Sequence, residues 1–339
     1  MALAEQTYKP QALWRKLWHY ASLLLALALV GIILRSISLN EIRDALRVLD
    51  LGYLLLAYSL NVIIVALLAY RWWVLYGIDE ARPSYRYLLK VSFVGVFFNN
   101  LLPGSFGGDI YRTLHMGQPR NGEAQLSRSL AIIMLDRLTG LLGLVLIGAT
   151  AVLLNDVIDL PGHVGVWTFA LLAVFGLALY LSMNRRAYDV VIRSFFWLPG
   201  RYHIHVERRI DHLRERIVVF SHRKDLVTIA LIVSIGQRVV WLIGCYLVGV
   251  SLHLDVSPLL YFVALPIIEV IRMLPLTVQG IGIREGLYVL FFGAAGVSNS
   301  EATLLAVFIY ALLSLNGLIG GAIYLWDRRQ VIPVLSGEK

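Results

Sequence analysis

The sequence predicts an all-α, polytopic integral membrane protein with about six full spans, two re-entrant or paired half-helix regions, and an inverted repeat. Three observations carry that prediction. Of the 339 residues, 58% are hydrophobic and only 15% charged, where a soluble globular chain has roughly 25% charged residues. Six apolar runs are each long enough to cross a hydrocarbon core of roughly 30 Å, which takes about 20 helical residues. Two further apolar regions are interrupted midway by Pro, Gly and polar residues. So few charges exclude a soluble enzyme or a disordered chain, and one cysteine excludes a disulfide scaffold.

In chain order, the run Leu17–Leu34 follows the basic residues Lys9, Arg15 and Lys16. Its small-x-small site, Ala26-Leu27-Ala28, lies in mid-run, so an uncleaved first span is expected rather than a leader. Leu51–Tyr70 spans next. Tyr85–Met116 is the first interrupted region, broken at Asn99-Asn100-Leu101-Leu102-Pro103-Gly104. Leu126–Leu154 and Val164–Met183 are full spans. Leu226–Leu252 spans again and contains Cys245, read as a packed helix residue. Ser257–Gly296 is the second interrupted region, broken at Pro266, Pro275 and Gly280-Ile281-Gly282. Ala302–Trp326 closes the series, and its Gly317 and Gly321 form a small-xxx-small packing face.

Basic residues set the topology. Arg185–Lys224 holds ten Lys or Arg and is expected on the cytoplasmic side, with the N-terminus, the Arg71–Lys90 linker and the tail Asp327-Arg328-Arg329. Arg208, Arg209, Asp211, Arg214, Glu215 and Arg216 alternate there with Ile210, Leu213 and Ile217, the pattern of an amphipathic helix on an anionic leaflet. Asn155–Gly162 and Ser251–Pro258 read as external, and Arg35–Asp50 favours neither side. Each interrupted region must then enter and leave on one side, the first from the cytoplasm and the second from outside. The expected organisation is a single membrane domain, 1–339. Its first half, 17–154, has a re-entrant region 85–116. A basic linker, 185–224, leads to a second half, 226–326, with a re-entrant region 257–296.

The two breaks share a pattern. Setting Pro103 on Pro275 without a gap places Leu102 on Leu274, Gly108 on Gly280 and Arg112 on Arg284. Pro ends the incoming helix and glycine lets the backbone turn. The half-helix that follows begins with free N–H groups and a partial positive charge, a site suited to phosphate. Arg112 and Arg284, about one turn later, add bidentate donors. The lipid-headgroup candidates are Arg112, Arg284, Arg238, Gly107, Gly108, Gly280, Gly282, Asn99 and Asn100.

These motifs, Asn99 to Arg112 and Gly280-Ile281-Gly282-Ile283-Arg284-Glu285-Gly286, resemble the flippase-like family related to the membrane domain of lysylphosphatidylglycerol synthases. The resemblance runs from about Leu17 to Trp326. It implies a bacterial or archaeal inner-membrane protein that moves charged lipids between leaflets. Gln279 departs from the family, many members having a small residue there. No large soluble aminoacyl-transfer domain is expected in these residues, so lysyl transfer is not implied.

The remaining charged residues in apolar runs need a reason to be there. Asp136-Arg137 lies inside the Leu126–Leu154 run, with Arg112 or Arg128 as the expected partner of Asp136. Gln237-Arg238 is central in its own run. Glu269 and Arg272, three apart, share a helical face. Asp109, Asp136, Arg137, Glu269, Arg272 and Glu285 are candidates for charge balance or proton coupling. Asn99, Asn100 and Asn316 are expected to bond freed backbone carbonyls. No nucleophile–base pair is present, His203, His205 and His212 are not spaced as a metal site, and no cofactor or catalytic residue is expected. The net charge of +8 reflects topology, not nucleic-acid binding. The expected partners are membrane lipids, an anionic lipid substrate among them. The alternative function is a membrane enzyme, or an accessory partner of lipid or glycan biosynthesis enzymes.

Overall fold

The computed structural model describes residues 46–78, 82–101, 107–116, 122–154, 169–170, 172–177, 180, 220, 223–272 and 282–326. The described part is helical and contains no strand. Its main helices are α1 (Leu51–Leu75), α2 (Tyr85–Leu101), α3 (Gly107–Met116), α4 (Gly122–Leu153), α5 (Lys224–Ser251), α6 (Pro258–Arg272), α7 (Ile283–Gly293) and α8 (Asn299–Trp326). The expected span Leu17–Leu34, most of Val164–Met183 and nearly all of the basic linker lie outside the described residues. So do Pro103, Pro275, Gln279 and Gly280 at the hearts of the two breaks.

Among the described residues, four stretches are long and apolar enough to cross a membrane: Leu51–Leu75, Ser129–Leu153, Lys224–Ser251 and Asn299–Trp326. At about 1.5 Å per residue, the shortest of them reaches roughly 37 Å. By contrast α3, with 10 residues, and α7, with 11, reach only about half the hydrocarbon thickness. Each interrupted region thus forms a medium-length helix followed by a half-helix.

Leu55, Leu56, Ile63, Leu290, Leu318 and Leu325 are exposed, while Asn61, Arg71, Arg112, Asp136, Arg284, Glu285 and Asn316 are buried within a largely apolar core. An apolar exterior, with polar groups turned inward and compensated there, suits a bilayer.

The helices pack as antiparallel pairs. At the start of α1 the Asp50 carboxylate caps the N–H groups of Gly52 and Tyr53, at 2.8 and 3.4 Å, while the Asp50 N–H donates to Ser251 O at the end of α5. Further along, Gln237 Nε2 donates to Ile64 O at 2.9 Å. The second pair is α2 with α8, where Gly317, Gly320 and Gly321 face Phe93, Phe97 and Asn100. At Gly320 a methyl group would overlap the Phe93 carbonyl, so this crossing requires glycine. The packing face expected in the last helix is present and extends to Gly320. Asn100 Nδ2 donates to Ser314 O at 3.3 Å; between α1 and α8, Asn61 Nδ2 donates to Leu312 O at 2.8 Å and Asn316 Nδ2 to Asn61 O at 3.0 Å. Of the asparagines expected to bond carbonyls, Asn100 and Asn316 do so, and Asn99 accepts the Gly108 N–H.

The remaining principal contacts are α4 with α5 and α6, α1 with α2, α2 with α3, α3 with α4, α6 with α7, and α7 with α8. Smaller ones join α5 to α6, α1 to α8, α5 to α8 and α1 to α4. Exchanging α1 with α5, α2 with α6, α3 with α7 and α4 with α8 turns every one of these contacts into another of them. The offset that sets Pro103 on Pro275 also carries each of the first four helices onto its counterpart, with ends agreeing to about five residues.

Two expectations are corrected. Pro266 does not interrupt its region, because α6 runs through it. Its ring lies against Gly148 of α4, and Ala264, Leu265 and Ile268 around it are 0–1% exposed. That burial outweighs a proline cost of about 3 kcal/mol. Arg71 and Lys90 do not belong to a linker: they lie within α1 and α2. The helix continues past Arg71 because Trp72, Val74 and Leu75 are core residues.

Gly320→Ala is expected to destabilise the protein by about 1–3 kcal/mol through overpacking. Gly236, with nothing within 4 Å of an added methyl, is the control, and its alanine variant should keep the wild-type thermal midpoint in detergent.

Candidate functional site

Two groups of buried charge lie inside the bundle. The first is built on α1, α3 and α4. Arg71 donates from Nε to Asp136 Oδ1 at 2.5 Å and from Nη1 to Ser234 Oγ at 2.7 Å. Asp136 was expected to pair with Arg112 or Arg128; its partner is Arg71, which reaches it from α1. One helical turn along α3, Arg112 donates to Asp109 Oδ1 at 3.1 Å, and Arg137 of α4 donates to Asp109 Oδ2 at 2.8 Å through Nε. Asp109 therefore serves two arginines. The Arg112 guanidinium stands over the Trp72 ring at 5.1 Å, and its Nε has no hydrogen-bond partner among the described residues.

The second group lines a cavity of about 230 Å³. Its walls come from α1 (Asn61, Ile64), α2 (Asn99, Asn100), α5 (Trp241), α6 (Glu269, Arg272), α7 (Arg284, Tyr288) and α8 (Tyr310, Asn316). Arg272 holds Glu269 through two hydrogen bonds, 3.0 and 2.7 Å long, as their three-residue spacing on α6 allows. Arg284 pairs with Glu285 and stands over the Tyr310 ring at 4.4 Å. Beside this cavity a narrow apolar slot, lined by Ala57, Gly244, Cys245 and Val248, shares Asn61, Ile64 and Trp241 with it.

The half-helix N-termini are already served from within the chain. Asn99 Oδ1 accepts the Gly108 N–H at 2.7 Å, and Glu285 Oε2 accepts the Gly282 N–H at 2.6 Å. Both glycines are structural requirements. A side chain at Gly108 would strike the Gly95 carbonyl, and Gly282 has a φ of +87°. One N–H group at each half-helix start is thereby occupied.

The nine headgroup candidates are thus divided. Arg284, Asn99 and Asn100 line the cavity, while Arg112 does not and is packed against Trp72. Gly107, Gly108 and Gly282 shape the half-helix starts, and Gly280 lies outside the described residues. Arg238 does not line the cavity; its guanidinium and that of Arg71 both lie beside Gly140 of α4, and Glu269, Arg272 and Asp136 also act on it electrostatically. The six charge-balance candidates all lie in these two groups. Sequence reasoning missed Arg71 and Ser234; the signal for Arg71 was the apolar Trp72-Trp73-Val74-Leu75 that follows it. Among the described residues no group of His, Cys, Asp and Glu has the arrangement of a metal site.

Residues 20–320 match the family model described as the lysylphosphatidylglycerol synthase TM region. Two relatives from Methanothermobacter thermautotrophicus, each named a UPF0104 membrane protein, align along most of the chain. One is 26% identical over 301 residues, covering 83% of this chain and 88% of the relative. The other is 24% identical over 322 residues, covering 84% and 87%.

The Arg71–Asp136 pair is testable by unequal substitution. Asp136→Asn leaves a buried guanidinium without its counter-charge and is expected to cost about 3–5 kcal/mol. Replacing both partners, Arg71→Met with Asp136→Leu, should recover most of that loss in thermal unfolding in detergent.

Proposed function

Because the chain belongs to the family of the lysylphosphatidylglycerol synthase TM region, we propose that it moves an anionic lipid between leaflets. The lipid carries a phosphate, either as a phospholipid or linked to a polyprenyl chain. The setting is the cytoplasmic membrane of a bacterium or archaeon, with both chain termini on the cytoplasmic side. The observation that carries this reading is the cavity that presents Arg272 and Arg284 inside the helix bundle. A phosphodiester binds between the two guanidinium groups, with Arg238 behind them. The tail leaves through apolar surface, for which the slot beside Cys245 supplies a start.

Transport follows from two halves of opposite orientation, six spans in all, each half with one re-entrant region. The exchangeable helix contacts and the common offset of helix ends support that architecture. In this state the Arg284 side holds the cavity and the Arg112 side is closed on Trp72. Rocking of one half against the other opens the Arg112 side and closes the Arg284 side, which is alternating access. Asp109, which bonds Arg112 and Arg137 together, is the lock of the closed side.

The test is leaflet redistribution of labelled phospholipids and polyprenyl phosphates in liposomes containing the purified chain. Arg284→Gln and Arg272→Gln are each expected to slow redistribution by about tenfold or more, the loss of a charged hydrogen-bonding partner being worth about 1.5–3 kcal/mol. Redistribution independent of both arginines, for every lipid tried, would sink the transport reading.

A further inference from the structure

The charges around the cavity do not close in pairs. Arg272 is engaged by Glu269 and Arg284 by Glu285. Arg238 makes no ion pair among the described residues, and its buried Nε has no hydrogen-bond partner there. Three arginines therefore face two carboxylates. Glu269 is the carboxylate on which Arg272, Arg238 and Arg284 all act. It also lines the cavity itself, alongside Arg272 and Arg284.

We propose that Glu269 is an internal anion of the cavity and sets the charge of the ligand it accepts. Glu269 occupies Arg272 while the cavity is empty, and turns to Arg238 when a singly charged headgroup takes Arg272 and Arg284. This deepens, and rests on, the anionic-lipid reading above. A carboxylate released into a dry bundle is costly unless another cation receives it. Arg238 is that cation, lying within the electrostatic reach of Glu269 and carrying no ion pair of its own. Three arginines, two carboxylates and one monoanion then sum to zero. A zwitterion leaves the excess positive charge uncompensated, and a dianion overshoots it. The ligand class is accordingly a phosphodiester monoanion, and Glu269 is what excludes the more highly charged monoester.

The test is calorimetric titration of the purified 339-residue chain in neutral detergent. Dihexanoyl phosphatidylglycerol is the monoanionic probe. Dihexanoyl phosphatidylcholine and inorganic phosphate run in parallel, separating a lipid headgroup from a free anion. Phosphatidylglycerol is expected to bind about tenfold or more tightly than either. Glu269→Gln, which removes the competitor, should tighten phosphatidylglycerol binding about tenfold. Arg238→Gln should weaken it about tenfold in the wild-type background and less than about threefold in the Glu269→Gln background, because its partner is then gone. A role in folding alone predicts neither the tightening nor that dependence on background.

Unchanged or weaker binding in Glu269→Gln, at a wild-type thermal midpoint, overturns the proposal and leaves the anionic-lipid reading standing. Equal losses from Arg238→Gln in both backgrounds also overturn it, since Arg238 then touches the ligand. Failure of wild type and Glu269→Gln to bind any probe overturns both readings. If inorganic phosphate alone binds and Glu269→Gln tightens it, the internal-anion role stands and the lipid source falls. Should Glu269→Gln not fold, Glu269→Asp decides. Its shorter carboxylate should tighten binding about threefold, and no change overturns the proposal.

Discussion

A charge inside a bilayer must be compensated within the protein, and this constraint organises the whole bundle. Arg71, Arg112, Arg137, Arg238, Arg272 and Arg284 lie among Asp109, Asp136, Glu269 and Glu285. Each carboxylate is spent on at least one arginine. The guanidinium groups are further held by aromatic faces, Trp72 under Arg112 and Tyr310 under Arg284, which offer partial negative charge at little desolvation cost. Among the described residues this leaves six arginines against four carboxylates, a positive excess inside the bundle.

The helices are arranged to make this possible. Glycine at Gly320 brings α8 against α2, and asparagines then bond carbonyls across the contact without demanding water. The half-helices α3 and α7 start inside the bundle, where unsatisfied N–H groups are expensive. Asn99 and Glu285 meet one N–H each. Glu285 does this with one carboxylate oxygen while the other pairs with Arg284. Backbone satisfaction and arginine placement are thereby one event, and the arginine is fixed by the same contact that begins the helix.

Much of this was legible in the sequence because it follows from composition along the chain. Long apolar runs give the full-length helices, and Pro/Gly interruptions divide the two short regions into a helix and a half-helix. Glu269 and Arg272 were expected to share a face from spacing alone, and they bond each other. What was not legible depended on neighbours distant in sequence. Arg71 looked like the start of a basic linker, since a positive charge after an apolar run usually marks the membrane boundary. Its partner Asp136 lies on α4, and Ser234 on α5. Pro266 looked like a break because local rules count the missing donor but not the core packed around it. At the half-helix starts, Glu285 meets the Gly282 N–H at capping-box spacing, which the sequence offered, whereas Asn99 reaches the Gly108 N–H from the preceding helix, which no local spacing rule predicts.

The two halves place an arginine at corresponding positions, yet only the Arg284 side lines the cavity, and the sequence offset explains the difference. Under the alignment that sets Arg112 on Arg284, Asp109 falls on Ile281, Phe97 on Glu269 and Asn100 on Arg272. The first half therefore puts its acid on the half-helix, one turn from its arginine, where Asp109 also draws in Arg137 and ties α3 to α4. The corresponding residue of the second region is apolar, and its acids are Glu285, which pairs with Arg284 on α7, and Glu269 on the preceding helix, α6. There Glu269 pairs with Arg272 along α6 itself. Glu269 and Arg272 line the cavity together with Arg284 of α7 and Tyr310 of α8. At the corresponding place in the first half, Phe97 fills the gap by packing on Gly321 and stacking with Tyr324. The two regions thus differ in where these acids act: Asp109 ties α3 to α4, whereas Glu269 pairs along α6 and lines the cavity.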